Sequence, residues 1–152
     1  MTTTMSLGDI LFSFSGRINR AKYWLASFIP LALIGVVLAL PFARLPKAAT
    51  VFIAVSLAII VLAMALALGV KRLHDRNKSA WWLVIFYVLP VVFDVANQTV
   101  HRGDPSILLT VMSFGLSLWA IVELGFIRGT NGSNQFGPDP LQPSVNFRYS
   151  TR

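Results

Sequence analysis

The chain has 152 residues, of which 55% are hydrophobic and only 12% charged, with a formal net charge of +7 and a mean hydropathy of +0.68. Soluble domains carry about 25% charged residues, so this composition excludes an ordinary aqueous domain and belongs in a bilayer. Cysteine is absent, which removes a disulfide framework, a thiolate metal site and a cysteine nucleophile. The cations flank apolar runs instead of alternating with aromatics on a polar face, so nucleic acid is not an expected partner.

In chain order, Ser6 and Asp9 have the spacing of a capping box, and Leu7, Ile10, Leu11 and Phe14 follow on one helical face. This predicts a short helix lying in the membrane interface and ended by Gly16, with Arg17 and Arg20 at headgroup level. Four stretches are long enough to span, since about 20 helical residues cross a hydrocarbon core roughly 30 Å thick. Residues 23–43 and 48–70 contain no charged residue, 79–100 is interrupted by Asp94, and 105–127 by Glu123. Pro30, Pro41 and Pro90 predict kinks, because neighbouring helices satisfy the carbonyls that proline frees. The first apolar run is longer than the core of a signal peptide and three more follow, so it is read as a retained span.

Cations set the orientation. One side holds Arg17, Arg20, Lys22, Lys71, Arg72, Arg76, Lys78, Arg128, Arg148 and Arg152, the other only Arg44, Lys47 and Arg102. The positive-inside rule then puts both termini in the cytoplasm, with Trp24, Trp81 and Trp82 as interface anchors at the cytoplasmic helix ends. The expected fold is an all-α membrane protein, a four-transmembrane-helix bundle with a short N-terminal interfacial helix. Residues 1–141 form one domain and 142–152 a flexible tail.

Between the second and third spans, Arg72, Asp75 and Arg76 share a face if the second helix overruns the membrane, so Asp75 is placed to bridge or orient arginines. Asn77 can close that helix and Ser79 cap the next. Basic residues here also serve simply to mark the inside. His74 is adjacent to Asp75, but neighbouring helical residues point about 100° apart, and the other histidine, His101, falls on the opposite side; no metal site is expected. Glu123 lies about a turn from the cytoplasmic end of the fourth span and is expected to pair with Arg17, Arg20, Arg72 or Arg128, whereas Asp94 lies near the outer end of the third. After the last span, Gly129, Gly132 and Gly137 with Asn131, Asn134, Pro138 and Pro140 predict an ordered, compact turn.

Three segments, "FSGRINRAKYW", "KRLHDRNKSAWW" and "GTNGSNQFGPDP", in this order and separated by apolar spans, resemble the signature regions of the bacterial integral-membrane family known as domain of unknown function 805. The likeness runs from about Leu11 to Leu141. Arg17, Asn19, Arg20 and Trp24 match the first region; Arg72, Leu73, His74, Asp75, Ser79 and Trp82 the second; Gly129, Gly132, Asn134, Gly137, Pro138, Asp139 and Pro140 the third. Arg76, Asn77 and Gln135 depart from the usual pattern. The resemblance implies a small multi-pass protein of the bacterial inner membrane and no catalytic mechanism.

The residues themselves contain no Ser/His/Asp order, metal-ligand spacing or phosphate loop, so neither an enzyme nor a cofactor is expected. The expected function is a non-enzymatic binding or scaffold module. In it Arg17, Arg20, Arg72, His74, Asp75, Arg128, Asn134 and Asp139 meet in a cytoplasmic cap, the acids orient the arginines, and guanidinium forks remain open to anionic lipid, a ligand or a partner. The alternative is a small oligomeric transporter or channel using the intramembrane acids Asp94 and Glu123. Ala63, Ala67, Ala65 and Gly69 give the second span small residues at four-residue spacing, which suits close packing within one chain, in a homo-oligomer or against another membrane protein.

Overall fold

A computed structural model describes residues 5–100 and 105–142, and within them the chain is helical, with no strand. Helix α1, Leu7–Phe12, starts on the expected capping box: Ser6 Oγ accepts the Asp9 N–H at 3.1 Å, and the Asp9 carboxylate accepts the Ser6 N–H at 3.1 Å. It ends at Phe12 instead of at Gly16, which has φ +85° in the turn that follows. Leu11 turns inward against Met64 and Leu68, so α1 is seated on the end of another helix as well as presenting Leu7 outward.

Helix α2, Arg20–Ala39, is capped by Asn19, whose Oδ1 accepts the Lys22 N–H at 2.9 Å. It carries Pro30 inside and runs into a 3₁₀ turn, Leu40–Phe42, at Pro41. Helix α3, Lys47–Asp75, is 29 residues long. Its stop is a Schellman motif: Asn77 takes φ +56°, its N–H reaches the His74 carbonyl at 3.0 Å, and the Lys78 N–H reaches Leu73 at 2.9 Å. A π-helical turn, Val84–Val88, feeds α4, Leu89–Val100. Helix α5, Ile107–Ile121, starts on Ser106 and ends in a second π-helical turn, Val122–Phe126. The α4–α5 connection is tied by Asn97, which accepts the Ser106 N–H at 2.7 Å and donates to Thr110 Oγ1 at 2.9 Å.

Three helices are long and apolar enough to cross a membrane, Arg20–Phe42, Lys47–Asp75 and Ile107–Phe126. The third stretch expected to span, 79–100, forms the shorter apolar helix Val84–Val100, because residues 76–81 are spent on the Schellman stop and the next turn. At 1.5 Å per residue it is about 25 Å long, short of the roughly 30 Å core. The tail expected from 142 lies, beyond Gln142, outside the described residues, as do His101 and Arg102.

Helix α2 pairs with α3, and Val84–Val100 pairs with α5. The two hairpins meet near one end, where Val70 and Leu73 of α3 pack with Leu83, Phe86, Ala120 and Leu124. Two of the small residues of α3 are packed within the chain: Ala67 is fully buried, and Gly69 lies against Leu83 and Tyr87. Away from that end large apolar side chains face outward, among them Leu38, Phe52 and Leu108, as expected when the surrounding solvent is hydrocarbon.

Candidate functional site

At the joined end, three helix termini leave backbone groups without intrahelical partners. The C-terminal turn of the last helix illustrates how they are satisfied. The Ile127 N–H closes the π-helical turn on the Val122 carbonyl at 3.1 Å. The four carbonyls of residues 124–127 accept side chains from elsewhere in the chain. Leu124 takes Arg72 Nε at 2.7 Å, Gly125 takes the Trp24 indole N–H at 3.1 Å, Phe126 takes Arg20 Nη1 at 2.9 Å, and Ile127 takes Arg72 Nη2. Cations at the negative end of a helix dipole are favourable in addition to these hydrogen bonds. Gly125 must be small: a Cβ there would come within 2.5 Å of Trp24 Cζ2.

The favour is returned at the end of α3. Asp75 O accepts the Thr130 N–H at 2.8 Å and its hydroxyl at 3.0 Å, and His74 O accepts Asn134 Nδ2 at 2.8 Å. Thus the third motif caps α3, while the first and second cap α5.

Arg17 joins these two halves. Nε and Nη2 donate to Asp75 Oδ1 at 3.2 and 3.1 Å, Nη1 to the Gly132 and Gly137 carbonyls at 2.7 and 3.2 Å, and Nη2 also to Thr130 O at 2.7 Å. A guanidinium has five N–H donors, and Arg17 finds five acceptor contacts. The other Asp75 oxygen accepts Arg72 Nη1. Arg17, Arg72 and Asp75 are 4%, 0% and 3% exposed, so one carboxylate is shared by two buried cations. Gly129 makes the space: a Cβ would overlap the Asp75 carboxylate. Arg17 and Arg72 offer no open fork, because backbone carbonyls and Asp75 take up those guanidinium groups.

The remaining expected residues fall around this centre. His74 stacks flat on Phe136, with centroids 3.8 Å apart and planes 5° off parallel, and Nδ1 lies 3.3 Å from Gly16 O. Asp139 accepts the Gly132 and Leu141 N–H groups, each at 2.9 Å, and those of Leu141 and then Gly132 hold its carboxyl below the usual value. Arg20 and Arg128 are exposed, as is Lys22. Trp81 is 78% exposed, but Trp82 turns in against Phe86 and Trp119, with Lys78 Nζ 4.6 Å from its ring centroid.

Glu123 is buried and pairs with Lys78 Nζ at 2.5 Å. Arg76 Nη1 lies 2.8 Å from the same oxygen, off the hydrogen-bond axis. The expected partners Arg17, Arg20, Arg72 and Arg128 are replaced by these two, since the Schellman turn throws Arg76 and Lys78 across to the last helix while Arg72 is directed at its carbonyls. Asp94 is exposed on α4, one turn before the Asn97 tie and so toward the opposite end from Glu123. Lys71, which no sequence signal singled out, is fully buried and donates to Ile10 O at 2.8 Å, fastening α1 to α3.

Residues 11–138 match the family described as "Protein of unknown function (DUF805)". The chain is 30% identical over 143 residues to "Uncharacterized protein YiiR" of Escherichia coli (strain K12), covering 89% of this chain and 90% of that protein. It is 27% identical over 131 residues to "Inner membrane protein YhaI" of the same organism, covering 84% and 85%. No solved structure matches it. The match spans the cap-forming segments from Arg17 to Gly137 as well as the helices between them, and the chain belongs to this family, DUF805.

Proposed function

We propose that the protein is a non-enzymatic, multi-pass binding module of the bacterial inner membrane. All four apolar helices cross, both termini are cytoplasmic, and a rigid polar cap recognises anionic lipid headgroups. The observation that carries this reading is the reciprocal capping centred on Arg17 and Asp75, which joins segments 58 and more residues apart at one end of the bundle. Diffuse attraction to an anionic surface, about 1 kcal/mol per cation, needs no fixed geometry; a cap in which the Arg17 and Arg72 guanidinium groups are both committed to Asp75 and backbone carbonyls has one. Its buried arginines set the frame, and the exposed cations Arg20, Lys22 and Arg128 are the groups left to meet phosphate oxygens. A path for ions through both intramembrane acids is disfavoured, because Asp94 and Glu123 belong to opposite ends of the α4–α5 pair.

Native mass spectrometry of the protein extracted with its lipids tests this. Retained phosphatidylglycerol should fall markedly in Arg20→Gln/Arg128→Gln and stay unchanged in Arg44→Gln, which removes an exposed cation from the far end of α2. Equal retention in the two variants would contradict headgroup recognition by the cap.

A further inference from the structure

The two helix hairpins touch near the cap and leave a gap between them farther along. A crevice of about 380 Å³ opens there, lined by Ile34 and Val37 of α2, Val61 and Ala65 of α3, and Tyr87 and Val91 of the shorter helix. A second hollow of about 210 Å³ shares Ile34, Val61, Ala65 and Tyr87 and continues toward the cap past Ser27 to Tyr23 and Leu68. The hollow thus runs from an apolar, mid-span region to hydroxyl-bearing residues at the cap end of α2.

Something must fill it. An unfilled gap forfeits dispersion contacts along its whole lining, and walls this apolar give water too few partners. A second copy's helix is about 10 Å across, too thick for a crevice of this volume. A single hydrocarbon chain is thin enough, and the volume falls in the range of about 300–1,000 Å³ typical of small-molecule sites. The polarity runs the same way along the hollow as from the acyl chain to the glycerol of a phospholipid: apolar at Val61 and Val91, hydroxyl-bearing at Tyr23 and Ser27.

We infer that the crevice between the two hairpins is a binding site for one acyl chain of a membrane phospholipid, whose glycerol and phosphate region lies at the Tyr23 end. The chain wedges between α2–α3 and Val84–Val100 where protein contacts stop, and so sets the spacing of the hairpins below the cap. This goes beyond headgroup recognition and does not require it, since a zwitterionic phospholipid has the same chain and phosphate.

The full chain in vesicles of phosphatidylcholine, with a diazirine-bearing acyl chain as probe, decides the matter by mapping where the photoproduct forms. Labelling should concentrate on Val61, Ala65 and Tyr87 over outward-facing Phe52. Val61→Trp, which fills the crevice, should bring Tyr87 labelling down to the Phe52 level without changing Phe52 itself. Ala58→Phe, on the same lining, serves if that variant does not fold. Labelling spread evenly over crevice and outer faces, or unaffected by the filling variants, would overturn the site. So would an efficient disulfide between two chains carrying Val61→Cys, which would assign the crevice to a second copy. Neutral lipid keeps the outcome separate from the headgroup reading, which Arg20→Gln/Arg128→Gln addresses with phosphatidylglycerol.

Discussion

Arg17 grips Asp75 through two nitrogens, Nε and Nη2, at 3.2 and 3.1 Å, across 58 positions of sequence, while Arg72 occupies the other carboxylate oxygen. One negative charge thus offsets two buried positive ones. Asp75→Asn keeps the shape and removes the charge, and breaking a buried pair in this way costs about 3–5 kcal/mol. The thermal midpoint in detergent should drop accordingly. Arg17→Lys should not rescue function of the pair, since a point-like ammonium with three donors replaces a planar fork that serves Asp75, Thr130, Gly132 and Gly137. A midpoint unchanged in Asp75→Asn would refute the shared pair.

Gly129 has an ordinary backbone angle, and its constraint is space alone, against the Asp75 carboxylate. Gly129→Ala should cost about 1–3 kcal/mol by overpacking. Because it acts through Asp75, its effect should be smaller in an Asp75→Ala background, where the obstructing carboxylate is gone. Full additivity in that cycle would mean the two residues are not in contact.

Glu123 and Lys78 provide a second cycle. The pair is buried on the acid's side and part-exposed on the lysine's, so the coupling between Glu123→Gln and Lys78→Gln should be about 0.5–3 kcal/mol, as for residues in contact. Coupling of Glu123→Gln to Arg128→Gln should be near zero. The reverse ranking would restore Arg128, one of the four partners expected from the sequence.

Asp139 makes the turn after the last helix sensitive to acid. Its folded-state pKa lies below the ordinary 3.8, owing first to the Leu141 N–H and then to that of Gly132. The stabilisation is therefore complete above 3.8 and is lost as pH falls below that value through the depressed pKa. The Gly132 and Leu141 amide resonances should shift together in that window, and Asp139→Asn should abolish the transition. Resonances that move near the ordinary carboxylate value, or not at all, would show that these bonds do not form.

What could be read ahead of the structure was local. The Ser6–Asp9 capping box, the stop at Asn77 and the Arg72–Asp75 spacing each depend on residues within four positions, where helical periodicity fixes geometry. Hydropathy likewise located the apolar helices, though residues 76–81 shortened the third. The meeting of Arg17 with Asp75 followed only from counting which loops share a side. Its acceptors were hidden, because Thr130, Gly132 and Gly137 contribute carbonyls, and every residue has one. For the same reason Leu124, Gly125, Phe126 and Ile127 gave no signal as the groups that hold Arg72, Trp24 and Arg20. The pairing of Glu123 with Lys78 and Arg76 is not legible in the sequence, because the direction in which these two leave the Schellman turn is a three-dimensional fact. Lys71 looked like one more inside-positive marker until Ile10 was folded over it.

The proposed placement of all three motifs on the cytoplasmic side is directly measurable, because the chain has no native cysteine. Ser15, Ser79 and Ser133 sit in or beside the three motifs and are exposed, as is Ala48 at the start of α3. Each is changed singly to cysteine and treated in intact cells with a membrane-impermeant thiol reagent. Ala48→Cys should label from outside, whereas the other three should label only after the membrane is permeabilised. External labelling of Ser15→Cys, Ser79→Cys or Ser133→Cys in intact cells would contradict a cytoplasmic cap.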